Sequence, residues 1–193
     1  MQVAMPEMDA VIEPIVIAGR NDTLYEPIGP QMEWLADRAL SWARLGETPN
    51  GEKKAAIIYY NHGGGKDNLG ATYINVPRSL QEILDGLNES GYLVLGTVPE
   101  ERDLVDLMAH QGTNVGTWAP GELEKMVAAG NSTLIPEEVY FAWFETIDPE
   151  RQKEVIERWG QPPGEIMVYQ NESGKYLVIP KLNFGNVILA PQP

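Results

Sequence analysis

The fold is decided by the stretch Ala55-Ala56-Ile57-Ile58-Tyr59-Tyr60-Asn61-His62-Gly63-Gly64-Gly65-Lys66-Asp67-Asn68-Leu69-Gly70. Residues 55–60 are continuously apolar, which is typical of a strand buried on both faces of a sheet. The polar and glycine-rich residues that follow predict a loop, and Val76-Pro77 opens an amphipathic helix. Open α/β sheets bind ligands at the carboxyl ends of parallel strands. We therefore expect the chemistry of this chain in the loop after residue 60.

The segments on either side extend this βα unit into an α/β pattern. Proline at the start and glycine at the end of periodic segments predict helices over 31–45, 76–90, 99–110, 120–130, from 136, and 149–160. Short strands are predicted over 92–95 and 184–190, an irregular or edge strand within 10–19, and a loop over 25–30. Two apolar runs flank Asn171-Glu172-Ser173-Gly174 and predict a β-hairpin near the C-terminus.

The predicted fold class is α/β, with a mostly parallel sheet, helices on both faces, a helical insertion and a C-terminal β-hairpin. A length of 193 residues suits one well-buried domain. Within this single domain, 1–193, we place an N-terminal strand and helix in 1–50 and a βα core in 53–135. The region 136–193 holds a helical pair plus the hairpin.

The composition excludes several classes of partner. The chain has 14 Lys and Arg against 28 Asp and Glu, a net charge of -14, which disfavours nucleic acid and anionic membranes. We expect no membrane span and no signal peptide, because no apolar run has the required length or flanks. Cysteine is absent, which excludes thiolate metal ligands and fits a reducing compartment. The expected location is the cytoplasm.

The glycine loop does not match the common phosphate-binding patterns. A P-loop requires Ser or Thr after Gly-Lys, and here Asp67 follows Lys66. A dinucleotide fingerprint requires glycine where this chain has Asn68. Two interpretations remain for the loop: its backbone N–H groups bind an anion, as in a flavodoxin-like phosphate site, or its glycines only relieve strain in a turn.

Few side chains are suited to acid–base or metal chemistry. His62 is one of only two histidines, and a neutral imidazole can act as a base or bind a transition metal. His110 ends a predicted helix, where histidine commonly satisfies the last carbonyls. Glu13 lies between two apolar pieces, either as a strand-edge charge in water or as a buried acid with a raised pKa. The sequence has no serine-hydrolase elbow, zincin motif or cysteine nucleophile.

Several segments, in order along the chain, resemble the large subunit of the ATP-dependent tetrapyrrole metal chelatases, which comprises CobN of cobaltochelatase and the H subunit of magnesium chelatase. Residues 5–16 are similar to its Pro-Glu-x-Asp-Gly-x-Ile-Glu-Pro segment, with Ala10 where glycine is usual, and residues 60–77 to its Asn-His-Pro-Pro-Gly-Lys-Gly-Asn loop. Further likenesses are Arg158-Trp159-Gly160 with Pro162-Pro163-Gly164, and Phe184-Gly185-Asn186-Val187 with Pro191-Gln192-Pro193.

The loop departs from the family pattern at three positions. Gly63 and Gly64 stand where the pattern has prolines, which predicts a more flexible loop. Asp67 replaces a glycine and places an anion beside Lys66, which argues against a simple phosphate cradle. The Asn61-His62 pair resembles the cobalt-type branch more than the magnesium type.

The resemblance implies a domain of the tetrapyrrole-binding subunit of a chelatase that inserts cobalt or magnesium into a corrin or porphyrin ring, in cobalamin or chlorophyll-type cofactor biosynthesis. It implies that AAA+ ATPase subunits hydrolyse the ATP, which is not bound here. Because members of the family are many times longer, we expect an excised domain or a shortened relative, inactive by itself. The alternative function is a non-catalytic scaffold that docks the motor subunits.

The same resemblance suggests a role for each residue of the site. His62 is expected to relay the metal or take a pyrrole proton, with Glu13 as a second acid or base. The residues expected to bind the macrocycle, through its polar periphery or by stacking on the ring, are Asn61, Lys66, Asn68, Tyr60 and Tyr73.

Overall fold

The computed structural model describes residues 14–60, 69, 73–116, 119, 121–130 and 132–192. The chain divides into two compact units, residues 1–49 and 50–193. No helix within the described ranges is long and apolar enough to cross a membrane.

The first unit contains a β-hairpin followed by a long helix. Strand β1 (Ala18–Asn21) pairs antiparallel with β2 (Leu24–Pro27), and helix α1 spans Gly29–Glu47. The helix predicted over 31–45 is confirmed. The loop predicted over 25–30 is wrong for residues 25–27, because these pair with β1. Proline is tolerated at the end of so short a ribbon, which has no central strand.

The first sheet of the second unit is built from the decisive stretch and the end of the chain. After a 3-10 turn (Asn50–Glu52), strand β3 (Ala55–Tyr59) pairs parallel with β8 (Val187–Pro191), and β8 pairs antiparallel with β7 (Leu182–Phe184). Helices α2 (Val76–Glu89) and α3 (Glu101–Gln111) share a core with this sheet. The core residues are Tyr59, Val76, Leu80, Leu84, Leu104, Met108, Leu182, Phe184, Val187 and Leu189.

A second, antiparallel sheet follows with its own helices. Strands β4 (Ser132–Pro136), β6 (Gly174–Pro180) and β5 (Val168–Asn171) lie in the order β4-β6-β5. Helix α4 (Glu122–Ala128) precedes β4, and α5 (Glu137–Phe144) and α6 (Pro149–Trp159) follow it. Its small core consists of Val115, Met126 and Val178. The predicted C-terminal hairpin is therefore confirmed as β5 and β6.

The α/β class is also confirmed, but two details of the predicted sheet differ. Of the five strand pairs among the described residues, only β3 with β8 is parallel. Strand β3 is buried on one face, whereas the sequence predicted burial on both. The core residues of α2 and α3 pack on the face that carries Ile57 and Tyr59. On the other face Ile58 is 59% exposed.

The turn between β7 and β8 connects distant parts of the second unit. Gly185 adopts a φ of 75° and forms a bridge to Val94, which is all that remains of the strand predicted over 92–95. The Asn186 side chain donates to the carbonyl of Gly51 at 2.9 Å, and its backbone N–H donates to that of Leu93 at 2.9 Å. The family-like segment Phe184-Gly185-Asn186-Val187 is thus a structural junction.

Candidate functional site

The structure describes two of the seven residues that the sequence predicts for the site. Tyr60 and Tyr73 lie within the described ranges. The other five lie outside the described residues, and their roles stay predictions: Glu13, Asn61, His62, Lys66 and Asn68.

Tyr60 and Tyr73 flank the glycine segment 61–72 with exposed rings. Tyr60 follows the last residue of β3 and is 46% exposed, and Tyr73, three residues before α2, is fully exposed. Between them, Leu69 is half-buried against the core of the first sheet. Both tyrosines are therefore exposed to solvent, one at each end of the segment.

The segment leaves the sheet at the carboxyl end of a parallel strand, as predicted. There the backbone N–H of Gln192 donates to the carbonyl of Tyr59 at 2.8 Å, which continues the pairing of β3 with β8. The side-chain amide of Asn114 donates to the carbonyl of Gln192 at 2.7 Å. Three chain segments, the ends of β3 and β8 and the residues after α3, are held together at this edge.

The buried Tyr59 hydroxyl forms a further hydrogen bond at this edge of the sheet. It donates to the carbonyl of Gly112, just after α3, and the residue is 4% exposed. Burial raises the pKa of Tyr59 well above its ordinary value, because the phenolate is costly outside water. The hydroxyl is therefore a neutral, structural donor at physiological pH, which suits positioning of the edge better than proton transfer.

The downstream end of the segment is fixed by the start of α2. The Asn75 side-chain oxygen accepts from the backbone N–H of Arg78 at 3.2 Å, a helix N-cap, and Pro77 occupies the first turn. The Asn75 amide also donates to a carboxylate oxygen of Glu101 at 2.8 Å, which ties α2 to the start of α3. The residues on both sides of segment 61–72 thus belong to hydrogen-bonded structure.

Sequence reasoning missed Tyr59, Asn114 and Asn75 as residues that build the site. A tyrosine closing an apolar strand was a signal for Tyr59, and Asn directly before Val-Pro was a signal for the N-cap. Nothing local marked Asn114, because its partner lies 78 residues away in the sequence.

The described residues contain no group of three or more His, Asp or Glu side chains placed to hold a metal ion. His110 Nδ1 donates to the carbonyl of Asp106 at 2.8 Å in the last turn of α3, as its position predicts. This contact is the helix-end role that the sequence predicts for His110.

Comparison with solved structures gives the class of fold. The catalytic subunit of cobaltochelatase from Mycobacterium tuberculosis superposes with a TM-score of 0.69 over 93% of this chain and 14% of its own, at 22% identity. The described residues therefore have the fold of a portion of this cobaltochelatase subunit.

The chain belongs to the CobN/Magnesium Chelatase family, whose model matches residues 1–193. It is 29% identical to the magnesium-chelatase subunit ChlH of Oryza sativa subsp. indica, over 100% of this chain and 13% of the rice protein. It is 23% identical to the aerobic cobaltochelatase subunit CobN of Sinorhizobium sp, over 100% of this chain and 15% of that protein. An uncharacterized protein of Methanocaldococcus jannaschii is 29% identical over 98% of this chain and 16% of its own. The chain spans less than one fifth of each of these relatives.

Proposed function

We propose that this chain forms part of the tetrapyrrole-binding site of an ATP-dependent metal chelatase, with the ring bound against segment 61–72. The observation that carries the proposal is that this segment follows directly, in the sequence, the carboxyl end of the parallel strand β3, in a chain that belongs to the chelatase family. The exposed rings of Tyr60 and Tyr73 support it, because aromatic faces stack on flat conjugated rings.

The chemistry assigned to the segment follows from metal insertion. A divalent metal that enters a free-base ring replaces two pyrrole protons, so the site needs a group that accepts protons near neutral pH. We assign this role, or delivery of the metal, to His62, with Glu13 as the second acid or base. Lys66 would pair with carboxylates on the ring periphery, and Asn61 and Asn68 with its amides.

The metal is a substrate in this scheme, and its identity is cobalt or magnesium. The Asn61-His62 pair favours cobalt, while the identities of 29% to a magnesium-type and 23% to a cobalt-type subunit are too similar to separate the branches. ATP would be hydrolysed by AAA+ partner subunits. The cytoplasmic location suggested by the cysteine-free sequence stays a prediction.

The test is a tryptophan-fluorescence titration of the chain with a cobyrinate-type corrin and, separately, with protoporphyrin. We expect saturable quenching by one ring, weakened by His62→Ala and unchanged by His110→Ala. The second variant is a matched control, because His110 is the other histidine and is held at the end of α3.

Metal insertion by the complete chelatase supplies the second readout. His62→Ala in the full-length subunit should lower the metallation rate, and a wild-type rate would refute the role of His62. If neither ring quenches while the chain binds the motor subunits tightly, the site proposal fails and the scaffold alternative is favoured.

A further inference from the structure

A small pocket in the second unit has no role in the proposed ring site. It has a volume of about 240 Å³ and lies between helices α5 and α6 and the segment 160–166 that follows. Ligand pockets for whole cofactors are larger, roughly 300–1,000 Å³, so this one has room for a single side chain. Its principal lining residues are Tyr140, Trp159, Pro162, Pro163, Glu165 and Ile166. We name it the aromatic–proline pocket.

The two rings of the pocket are held by neighbouring side chains. Trp159 is 75% exposed, and the guanidinium of Arg158 lies 5.4 Å from its ring centroid. Tyr140 stacks on Phe144 with the ring centroids 6.0 Å apart and contacts Trp143 at 5.7 Å. Tryptophan and tyrosine are among the residues that most often anchor protein partners, and here the tryptophan is exposed and the tyrosine half-buried. Held rings also lose less conformational entropy on binding.

The charge around the pocket indicates what enters it. Residues 136–166 contain eight Asp and Glu and three Lys and Arg, a net charge of -5. Two of the three cations already face carboxylates on α6: Arg151 with Glu154 at 2.6 Å and Lys153 with Glu157 at 3.7 Å. Glu165 adds a carboxylate to the lining itself. The surrounding field is therefore negative, which attracts cations and repels the carboxylates of a tetrapyrrole.

We propose that the aromatic–proline pocket is a docking site for an arginine side chain on a basic segment of a partner protein. A guanidinium can stack on the faces of Trp159 and Tyr140 while it donates to the Glu165 carboxylate. The net charge of -14 over the whole chain would steer such a segment toward this surface. The proposal assigns a use to the segment Arg158-Trp159-Gly160-Gln161-Pro162-Pro163-Gly164, which the ring site leaves unused.

The test uses three acetylated peptide amides, Gly-Ser-Pro-X-Pro-Ser-Gly, in which X is arginine, citrulline or leucine. Citrulline keeps the shape of arginine without its charge. Each is titrated into the 15N-labelled chain while the indole N–H signals of the five tryptophans are followed. We expect the arginine peptide to shift the Trp159 signal and to bind about tenfold more tightly than the citrulline peptide. Raising the salt concentration should weaken it.

Substitutions test whether the peptide binds in this pocket, and a folding measurement accompanies each variant. Trp159→Ala should abolish it and Glu165→Gln should weaken it several-fold, while Trp34→Ala, an exposed residue of the first unit outside the lining, should leave it unchanged. Circular dichroism confirms that each variant is folded. The proposal is overturned if the leucine peptide binds as tightly as the arginine peptide, if Trp34 in the first unit shifts equally, or if no signal shifts at millimolar peptide. None of these outcomes depends on whether a tetrapyrrole binds at segment 61–72.

Discussion

The contact between Tyr59 and Gly112 can be tested by adding one methyl group. A Cβ at Gly112 would collide with the Tyr59 hydroxyl oxygen and lie 3.4 Å from Leu182 Cγ and from Met108 Cα. Tyr59 and Leu182 are 4% and 3% exposed, so neither side chain has space to move away. Overpacking of this kind costs about 1–3 kcal/mol, and the displaced hydrogen bond about 1 kcal/mol more. Gly112→Ala should therefore lower the free energy of unfolding by about 2–4 kcal/mol.

The collision should depend on the hydroxyl group alone. Tyr59→Phe by itself removes the hydrogen bond to Gly112 and should cost about 1–2 kcal/mol. In the Tyr59→Phe background the remaining contacts of the new methyl group are ordinary, so Gly112→Ala should cost less than about 1 kcal/mol. The two substitutions are thus expected to be strongly non-additive.

Urea unfolding of the wild type, both single variants and the double variant measures this coupling. Gly86→Ala is the matched control, because it lies inside α2 and its added Cβ would meet nothing within 4 Å. It should stabilise the protein by about 0.5–1 kcal/mol. Equal costs of Gly112→Ala in the Tyr59 and Phe backgrounds would refute the reasoning.

Three further predictions concern Gly185, Asn186 and the buried hydroxyl of Tyr59. Gly185→Ala should destabilise the protein by more than about 2 kcal/mol. The φ of 75° at this position strains any residue other than glycine, and the new Cβ would lie 2.8 Å from Leu95 Cγ. A loss below about 0.5 kcal/mol in urea unfolding would contradict this prediction. Asn186→Ala removes the hydrogen bond to Gly51 and should cost about 1 kcal/mol, measured in the same way, and an unchanged midpoint would count against that bond. Because burial raises the pKa of Tyr59 in the folded state, the unfolded state ionises this hydroxyl first as the pH rises. The stabilising contribution of the neutral hydroxyl is therefore fully present below pH 10.0, its ordinary pKa, and declines as the pH rises further. Between pH 9 and 11 the wild type should lose about 1 kcal/mol more stability than Tyr59→Phe, and parallel pH profiles would show that this burial is not maintained.

Local signals in the sequence were sufficient to predict most of the helices. Proline at the start of α2 and α6, and glycine directly after α6, mark boundaries that the structure reproduces within a residue or two. The hairpin of β5 and β6 was predictable because Asn171 and Gly174 close its turn with a local hydrogen bond from Ser173 to Asn171. Each of these signals acts over a few residues, which is the range that a sequence pattern records.

Pairings between distant segments were not predictable in the same way. Strand β4 is short, has no clear alternation, and forms against β6, about 40 residues further on. The run 92–95 has strand-like residues but contributes only a bridge, between Val94 and Gly185 at the turn that joins β7 to β8. The apolar run of β3 suggested burial on both faces, whereas apolar composition alone does not show how many faces are covered.

For the candidate site, the sequence predicted where the site lies in the fold, but not the residues whose hydrogen bonds build it. The glycine segment does follow the carboxyl end of a parallel strand. The residues that hold this edge together, Tyr59 and Asn114, were missed because their partners Gly112 and Gln192 are remote or are backbone groups. Such contacts depend on the tertiary arrangement, and a residue's type alone does not indicate them.

The pairing of β3 with β8 has a consequence for the order of events during synthesis. Residues 55–59 leave the ribosome long before their partners at 187–191. At about 5–20 residues per second, β3 waits roughly 6–26 s for the strand that completes its parallel pair. During this interval Ile58 and the apolar run around it are open to other strands, so protection by a chaperone, or slow translation after this point, would change the yield of folded protein. The edge formed by β3 and β8 therefore cannot be completed until residues 187–191 have been synthesised.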